Sequence, residues 1–426
     1  MLEINRIRSE KESIAKALSK RGWDAERAKV LDQVISLDDD RKSVQINNDE
    51  LLAQRNQLSA EIGNLFKSGK AEEANKLKSQ VEGLKTNIAD NEYKMQNIKS
   101  AIEDILLTIP NVPNTLVPEG LKESDNVISK DWDKPLPELS NEALPHWELG
   151  TKYDILDFEL GVKLTGAGFP VFRKKGSRLQ RALINFFLDE ANSQGYEEIV
   201  PPLLVNEDSA KGTGQLPDKE GQMYHAEKDN LYLIPTAEVP ITNLYRGDIV
   251  KEESLPIKLT GYTPCFRREA GSYGADVKGL NRVHQFDKIE IVQITHPDKS
   301  YETLDQMVAY VETLLTKLEL PYRILRLCGG DLTYASALTY DFEVYSAAQR
   351  KWLEVSSVSN FETFQSNRLK LRYKSADGKN RLAHTLNGSA LALARIIAAL
   401  LENHQTENGI VIPEALRKYT GFELLN

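Results

Sequence analysis

The sequence predicts an α+β protein in which a long helical hairpin precedes a domain built on an antiparallel sheet flanked by helices. The first observation is a pair of heptad seams within residues 1–110, which contain no proline before Pro110. The second is a series of short strand-like segments with few crossover helices, which favours antiparallel pairing. The third is that neither GxGxxG nor GxxxxGK[ST] occurs, which disfavours a doubly wound parallel fold.

Composition indicates two or three domains with a large core, since the chain has 426 residues of which 41% are hydrophobic. The net charge of −9 gives no positive field over the whole molecule, so any nucleic-acid contact is expected to use local basic patches. The N-terminus is charged and has no apolar core, so a signal peptide is not expected. No run of 18 apolar residues occurs, so a membrane span is not expected either. Cys265 and Cys328 are the only cysteines, so a reducing cytoplasm is expected, without a disulfide framework or a cysteine-based zinc site.

Residues 1–110 are predicted to form a short amphipathic helix over 1–21 and then an antiparallel coiled-coil hairpin. The polar link KSGKAEE at 67–73 is so short that the two helices must fold back on each other. Each arm of about 36 residues would span roughly 54 Å. Polar seam residues lower stability and help to fix register. The first seam comprises Val30, Val34, Leu37, Arg41, Val44, Asn48, Leu51, Arg55, Leu58, Ile62 and Leu65, and the second comprises Ala74, Leu77, Val81, Leu84, Ile88, Asn91, Met95, Ile98, Ile102, Ile105 and Ile109.

The remainder is predicted to consist of a proline-dotted linker over 111–150 and a second domain over 151–426. A helix over 177–195 ends at Gly195 and is followed by the strand-like segment YEEIVPPLL at 196–204. Further helices are predicted at 300–319 and 388–404. Further strands are predicted at 231–234, 249–250, 262–266, 284–294, 322–328, 340–345 and 352–358.

The window GYTPCFRREAGSYGADVKGLNRVHQFDKIE at 261–290 contains the most informative chemistry. It reads as two antiparallel strands joined by a glycine-rich loop, with Arg267, Glu269, Arg282 and Glu290 on one face. Crowding these charges together is costly unless a ligand supplies balancing charge, as an ATP triphosphate and an amino acid would. FRRE read alone is equally compatible with a pair of surface salt bridges.

This window closely resembles motif 2 of the class II aminoacyl-tRNA synthetases, and its amino-acid sequence is similar to that of the seryl-tRNA synthetase family. The resemblance implies ATP-dependent attachment of L-serine to tRNA(Ser) through a seryl-adenylate, and also to tRNA(Sec) where selenocysteine is used. It implies that Arg267 contacts the α-phosphate and the carboxylate being activated, because a fixed guanidinium can neutralise charge that develops between two anions. The implied ATP-binding residues of this window are Arg267, Arg268, Glu269, Arg282, Val283 and Phe286, with Phe286 stacked on adenine.

The resemblance also implies which residues bind serine. They are Glu290, the triplet Thr236, Ala237 and Glu238, Arg267, and, from a later segment, Asn387 and Ser389. From the residues alone, Thr236 is also a candidate helix N-cap. A buried site that must pair with the serine hydroxyl would reject alanine, because its polar groups would be left unsatisfied. Threonine keeps the hydroxyl and must be excluded by shape.

Two further segments resemble the family. WLEVSSVS supplies Glu354, Val355, Ser356 and Ser357 to ATP, with Glu354 and Ser357 holding Mg²⁺ on the triphosphate, since carboxylate and hydroxyl oxygens suit a hard cation. Read alone, the segment is equally an ordinary edge strand. HTLNGSALALARIIAALLEN at 384–403 resembles motif 3 and puts Arg395 on the γ-phosphate; snorkelling of Arg395 to the surface is the alternative. The implied catalytic residues are Arg267, Arg395 and Glu354.

The implied partners are tRNA(Ser), tRNA(Sec) and a second copy of the chain. In the family the helical arm grips the tRNA, and the helix and strand over 177–204 resemble motif 1, which builds the dimer interface. Nearly equal numbers of acidic and basic residues in the arm leave a dimerisation or spacer coil open as the alternative. A serine-binding paralogue that does not charge tRNA, and a scaffold with an inert globular part, are the rival functions. The candidate tRNA contacts are Lys67, Lys70, Lys76, Lys78 and Lys85.

Overall fold

The computed structural model describes residues 1–140, 142–218, 221–268 and 278–426, and the chain divides into two compact units. Unit 1 comprises Met1–Ser19 and Trp23–Pro110, and unit 2 comprises Lys20–Gly22 and Asn111–Asn426. Among the described residues, no helix combines the length and the apolar character needed to cross a bilayer.

Unit 1 is helical, with α1 at Ile4–Ser19, α2 at Ala25–Ala28, α3 at Val30–Lys67 and α4 at Ala71–Leu106. The predicted hairpin is confirmed: α3 and α4 pack against each other, and every residue of both predicted seams is buried or partly buried. The link is shorter than predicted, since only residues 68–70 separate the helices, with Gly69 at a φ of +77° where a side chain would be strained.

A buried carboxylate connects α1 to α3. The side chain of Asp38 is only 3% exposed. Its carboxylate lies 2.9 Å from the Arg8 guanidinium, 2.8 Å from the Arg41 guanidinium and 2.8 Å from the Lys42 ammonium. Burial acts to raise the pKa of Asp38, but the hydrogen bonds from Lys42, Arg41 and Arg8 outweigh it and lower the pKa to about 2. Of these three cations only Arg8 belongs to α1, so its ion pair with Asp38 ties the short first helix to α3, while Arg41 and Lys42 on α3 itself compensate the buried charge.

Unit 2 is organised around an eight-stranded sheet within the described residues, in the order β1-β11-β12-β13-β16-β10-β9-β4, and all neighbours pair antiparallel except β4 and β9. The predicted antiparallel α+β architecture is confirmed. The strands are β1 Val127–Lys130, β2 Leu156–Asp157, β3 Val171–Phe172, β4 Glu197–Glu198, β5 Leu204–Val205, β6 His225–Ala226, β7 Leu231–Leu233, β8 Ile249–Lys251, β9 Ile257–Phe266, β10 Gln285–Thr295, β11 Tyr322–Arg326, β12 Leu338–Ser346, β13 Lys351–Asn360, β14 Arg372–Lys374, β15 Asn380–Leu382, β16 His384–Ala392, β17 Gln405–Thr406, β18 Gly409–Val411 and β19 Leu424–Leu425.

Helices cover one face of this sheet. The apolar sides of α7, α10 and α12 join sheet residues such as Ile291, Phe342 and Val358 in one buried cluster. Residues that alternate with these along the strands lie on the opposite face, which is left for polar side chains. The helices are α5 His146–Lys152, α6 Phe158–Leu164, α7 Lys174–Ser193, α8 Glu207–Thr213, α9 Glu238–Asn243, α10 Ser300–Lys317, α11 Phe364–Leu369, α12 Leu393–Asn403 and α13 Glu414–Thr420.

Two predicted elements are wrong in their extent. The helix predicted at 388–404 begins only at Leu393, because residues 384–392 form a strand between β13 and β10. A strand buried on both faces is as uniformly apolar as a buried helix, so periodicity does not separate them. The strand predicted at 196–204 is reduced to the two-residue strands β4 and β5, because the intervening Pro201 and Pro202 have no N–H to donate.

Candidate active site

The central strands bring remote segments to one end of the sheet. Phe266 at the end of β9 pairs with Gln285 at the start of β10, and Ala392 at the end of β16 pairs with Lys288. Arg267 directly follows β9, and Arg395 lies three residues beyond β16 in the first turn of α12. The two arginines singled out from the sequence therefore lie at the same end of one sheet.

A bulge in β16 sets which of its residues face the site. Lys288 pairs with Ala392 and Glu290 pairs with Ser389, so between these pairs one residue of β10 opposes two of β16. Paired residues of neighbouring strands share a face, and Lys288 and Glu290 share one because they are two apart. The bulge therefore keeps both Ser389 and Ala392 on the polar face.

A second bulge, in β13, has the same effect on the segment that contains Glu354 and Ser357. Glu354 pairs with Glu343 and Ser357 pairs with Asp341, with a register shift between them. Glu343 and Asp341 are two apart on β12, so their partners Glu354 and Ser357 lie on one face although they are three apart. The bulge is therefore the reason that a carboxylate and a hydroxyl at this spacing can reach one ligand.

The residues predicted to bind the substrate serine lie around one buried lysine, Lys288. The Lys288 ammonium lies 2.7 Å from the Glu290 carboxylate and donates to the Thr236 hydroxyl at 2.8 Å. Thr236 in turn donates to Glu290 at 3.2 Å, and the side chains of Lys288 and Glu290 are only 6% and 1% exposed. The N-cap alternative for Thr236 is displaced by one residue, since Ala237 is the N-cap of α9, although the Thr236 hydroxyl does accept the Glu238 N–H at 3.3 Å.

Glu238 is the second buried carboxyl of this region. The Gln365 side-chain amide donates to it at 2.6 Å, and the Gln365 oxygen accepts the Thr385 hydroxyl at 2.7 Å, so Gln365 is held in one orientation. Burial raises the pKa of Glu238 to about 7, with a further contribution from the negative charge of Glu290. Two carboxyls thus share the positive charge of a single adjacent lysine.

Arg267 is held by the strand ends around it. Its Nε donates to the Pro235 carbonyl at 3.3 Å, and its guanidinium lies 5.3 Å from the centre of the Phe286 ring. Its backbone N–H donates to the His284 carbonyl at 2.9 Å. Phe286, proposed from the sequence to stack on adenine, therefore has a guanidinium near its ring, and it lines a cavity of about 110 Å³ together with Ala394, the residue before Arg395.

Arg395 bridges two other segments. Its Nε donates to the Asn281 carbonyl at 2.8 Å, and one terminal nitrogen donates to the Glu354 carbonyl at 2.7 Å and lies 3.5 Å from the Glu354 carboxylate. Snorkelling into solvent is not observed, because these contacts hold the guanidinium at the end of the sheet. The motif 2 and motif 3 segments and β13 therefore converge on this arginine.

The residues predicted to hold Mg²⁺ lie beside a buried carboxyl, that of Asp341. The Ser357 hydroxyl donates to Asp341 at 2.5 Å, and the pKa of Asp341 is raised well above its usual range by burial and by the negative charge of Glu354. Within the described part of the chain, no three His, Cys, Asp or Glu side chains are arranged to hold a metal by themselves. Glu354 and Ser357 offer one carboxylate oxygen and one hydroxyl oxygen, donors that suit a hard cation such as Mg²⁺ when phosphate and water supply its other ligands.

The remaining predicted residues differ in burial. The side chains of Ala237, Val283, Val355 and Ser356 are buried, with Val283 and Val355 in the hydrophobic core and the Ser356 hydroxyl donating to the Ser389 carbonyl at 2.6 Å. Asn387 and Ser389 lie on β16, with 9% and 8% exposure. Arg282 is exposed, and the Arg268 guanidinium lies 5.8 Å from the Tyr224 ring centre. Glu269 lies outside the described residues.

The lysines predicted to meet tRNA are all exposed near the hairpin end of unit 1. Lys70 pairs with Glu73 at 3.4 Å and Lys85 pairs with Glu82 at 2.8 Å. The Lys78 ammonium lies 4.6 Å from the centre of the Phe66 ring. This end of the hairpin therefore presents several cations and one partly exposed aromatic ring.

Sequence reasoning missed four polar residues that the structure places beside the predicted ones: Lys288, Gln365, Asp341 and Asn281. Lys288 could have been found, because it alternates with Phe286 and Glu290 and so shares their face. Asp341 and Gln365 come from segments with no local signal of their role, and their positions depend on strand register and on the placement of α11.

Comparisons with known proteins agree with this geometry. Residues 1–113 match the family described as seryl-tRNA synthetase N-terminal domain, and residues 222–404 match the tRNA synthetase class II core domain (G, H, P, S and T). A serine–tRNA ligase of Salinibacter ruber is 46% identical over 99% of this chain and 98% of its own length.

Two solved structures are also similar over the full chain. The seryl-tRNA synthetase of Pyrococcus horikoshii complexed with ATP has a TM-score of 0.91 at 34% identity, covering 100% of this chain and 99% of that one. The cytoplasmic serine–tRNA ligase of Naegleria fowleri in complex with AMP has a TM-score of 0.87 at 27% identity, with the same coverage. Both similarities include the helical hairpin as well as the sheet.

Proposed function

The chain belongs to the seryl-tRNA synthetase family, and we propose that it attaches L-serine to tRNA(Ser) in two ATP-dependent steps. The observation that carries the proposal is the convergence, at one end of a single sheet, of two guanidinium groups and a buried acidic pocket. Arg267 and Arg395 suit the phosphate tail of a nucleotide, and Glu238 and Glu290 suit an ammonium and a hydroxyl group.

In the first step the serine carboxylate attacks the α-phosphorus of ATP and pyrophosphate leaves. Arg267 lies between the amino-acid pocket and Phe286, where its charge can hold the carboxylate and the α-phosphate together. Arg395 and Arg282 bind the rest of the triphosphate. In the second step the 3′-hydroxyl of the terminal adenosine of the tRNA attacks the seryl carbonyl of the adenylate, so that an ester forms, the acyl–phosphate bond breaks, and AMP and a proton leave. No protein nucleophile is required.

Serine selectivity rests on the buried groups around Lys288. Glu290 is only 1% exposed and can accept the serine hydroxyl in a space that alanine would leave unfilled. Glu238 provides negative charge for the serine ammonium. Ser389 faces the same space, because it pairs with Glu290 across β10 and β16.

We assign Glu354 and Ser357 to Mg²⁺ bound with ATP. The ion would stabilise charge on the triphosphate as a Lewis acid. Asp341, which accepts the Ser357 hydroxyl, lies close enough to orient that hydroxyl. A cation beside Asp341 would also favour its ionised form and so oppose the upward pKa shift caused by burial and by Glu354.

The hairpin of unit 1 is proposed to bind tRNA(Ser), and tRNA(Sec) where it exists, with the exposed lysines Lys67, Lys70, Lys76, Lys78 and Lys85 contacting phosphates.

A homodimer is supported by apolar side chains that are exposed in the single chain on α6 and in the segment predicted as motif 1. Sedimentation at a mass of one chain would contradict the dimer. The exposed apolar residues that support the dimer are Leu160, Val162, Leu164, Val200, Leu203 and Leu204.

The cytoplasm is the proposed location, consistent with two free, buried cysteines.

The test is ATP–pyrophosphate exchange measured with each amino acid in turn, followed by charging of tRNA(Ser). Exchange stimulated by serine alone supports the assignment, and charging excludes a paralogue that only activates serine. Glu290→Ala should lose serine-dependent exchange, and because Lys288 is then buried without its carboxylate partner, the protein should melt several degrees lower but still unfold in one cooperative transition. A folded Glu290→Ala protein with near-native exchange would remove Glu290 from the site. Absence of exchange with every amino acid would leave an inert scaffold as the function.

A further inference from the structure

A buried histidine and glutamate connect the ATP-facing segment to the helix that carries Arg395. His146, at the start of α5, and Glu402, near the end of α12, are both fully buried, and His146 Nδ1 lies 2.7 Å from a Glu402 carboxylate oxygen. Neither residue touches the site described above. His146 contacts the segment formed by residues 278–282, which leads toward β10 and is here named the stem, and Glu402 reaches the stem through His146 and Gln349.

The histidine has a defined tautomer. Its Nε2 lies 2.8 Å from the backbone nitrogen of Leu280, which is a donor, so Nε2 must accept that hydrogen bond. The ring proton is then on Nδ1 and is donated to Glu402. Leu280 is fully buried, so its N–H has no water to replace the ring nitrogen.

Glu402 is saturated with donors and is therefore a fixed anchor. One oxygen accepts the backbone N–H of His146 at 3.0 Å, the His146 ring and the Gln349 amide at 2.9 Å, and the other accepts the Ser346 hydroxyl. Burial acts to raise the pKa of Glu402, but the hydrogen bonds from His146 and Ser346 outweigh it and the pKa is lowered.

The stem is tied to this anchor a second time through Asn281. The Asn281 amide donates to the Gln349 oxygen at 2.8 Å, and Gln349 donates to Glu402. The Asn281 carbonyl then accepts Arg395 Nε at 2.8 Å. Arg395 and Glu402 are seven residues apart, about two helical turns, so they lie along one side of α12.

Close packing also holds the stem in place. Gly279 has a φ of +69°, and a Cβ added there would lie 2.2 Å from His146 Nε2, so the backbone rests directly on the ring. The Lys278 ammonium lies 4.5 Å from the ring centre of Trp147, the neighbour of His146. Hydrogen bonds and close backbone contact therefore both fix the stem against the start of α5.

We propose that His146 and Glu402 are positioning residues for ATP: they hold the stem so that the Asn281 carbonyl orients Arg395 and the next residue, Arg282, faces the triphosphate. This inference rests on the proposed function for the identity of the nucleotide. It assigns a role in nucleotide affinity to two residues at the far side of the stem from the ligand. The serine pocket, built on Thr236, Glu238 and Glu290, shares none of these contacts.

Two substitutions separate the two bonds that His146 makes. In His146→Gln the terminal amide oxygen can reach the position of Nε2 and accept the Leu280 N–H, whereas in His146→Asn the side chain reaches only the position of Nδ1. His146→Asn should therefore weaken ATP binding about tenfold, since the buried N–H loses its acceptor, and His146→Gln should stay within about threefold of the native chain. The Km for serine should change less than twofold in both.

The readouts are ATP affinity by calorimetry with Mg²⁺ and the Km values for ATP and serine in pyrophosphate exchange. Gly279→Ala leaves the His146–Glu402 pair intact and displaces the stem, so it should also raise the Km for ATP and not that for serine. His404→Asn is the matched control, because His404 is a second histidine with a ring-to-backbone hydrogen bond, but its Nε2 donates to the Leu318 carbonyl at the end of α10, at 3.1 Å, and not to the stem. It should leave the ATP affinity unchanged.

Equal ATP affinities in the native chain, His146→Asn and Gly279→Ala would overturn the inference. So would a rise in the Km for serine equal to the rise for ATP, since that would indicate general loosening of the domain. A native chain that binds ATP without serine-dependent exchange would refute the proposed function, and calorimetry on the same variants would still decide whether the stem is positioned as inferred.

Discussion

Serine binding should depend on pH through Glu238. The pKa of this carboxyl is raised to about 7 in the serine-free protein, by burial first and by Glu290 second, against opposing effects of Gln365, Lys288 and Arg267. The charged groups that face it are Glu290 and Lys288 on β10 and Arg267 after β9. Because the serine ammonium requires the ionised form, serine must bind to the fraction that has lost its proton.

The size of the effect follows from that pKa. At pH 8 roughly 90% of Glu238 is ionised and at pH 6 roughly 10%, so the apparent Kd for serine should be about tenfold higher at pH 6. The sign is fixed because the proton and the ammonium compete for one carboxylate: affinity rises with pH up to about 8 and then levels. At pH 7 each serine bound should release roughly half a proton.

The assay is the Km for serine in pyrophosphate exchange between pH 6 and 8, together with calorimetry at pH 7 in two buffers of different ionisation enthalpy. Glu238→Gln should bind serine more weakly at every pH, with a flat profile and no proton release. Glu302→Gln, which neutralises an exposed carboxylate on α10, should retain the native slope. A flat native profile, or the native slope in Glu238→Gln, would refute the reasoning.

Two further predictions concern ion pairs of different burial. Lys288→Met should lower the free energy of unfolding by about 3 kcal/mol, because Glu290 is left buried without its cation, whereas Lys299→Met at an exposed pair should cost less than about 1 kcal/mol; urea denaturation that gave equal losses would contradict this. Asp38 has a pKa depressed to about 2, so its contribution to stability is present above its unfolded pKa of about 3.9 and is lost as pH falls toward 2. Asp38→Asn should therefore melt lower than the native chain at pH 7 by circular dichroism, and the difference should shrink at pH 2; a constant difference would exclude this ion-pair account.

The hairpin was predictable because its signal is local and repeated. Heptad spacing alone assigns the buried side of α3 and α4, and a short polar link forces them antiparallel. The polar pairing within the seam was not predictable in detail. Asn91 was expected to help fix register, and its amide bonds Asn47 at 3.1 Å, a residue outside the predicted seam, whereas the predicted Asn48 is buried with its side-chain oxygen unbonded.

The sheet was predictable as a class, whereas the site depended on register that the sequence does not display. Glu354 and Ser357 are three apart, a spacing that puts side chains on opposite faces of a regular strand. Only the bulge opposite Asp341 and Glu343 brings the two side chains to one face, and no residue in WLEVSSVS indicates that a bulge is present. The extent of β16 was hidden for a related reason: the ALALA run at 390–394 crosses from the end of β16 into the start of α12, and such a buried apolar run reads equally as strand or helix.

The strand β10 accounts for how two ligands are held at a fixed separation. The segment leading into it anchors Arg395 through Asn281, Phe286 lies at its start, and Glu290 faces the amino-acid pocket four residues later, so nucleotide and serine contacts are about 13 Å apart along one strand. Pairing with β9 on one side and β16 on the other prevents this distance from changing. A slip of one residue would turn Glu290 and Lys288 into the hydrophobic core and bring Ile289 to the polar face, so any sequence change that loosened this register would remove serine selectivity and nucleotide alignment together.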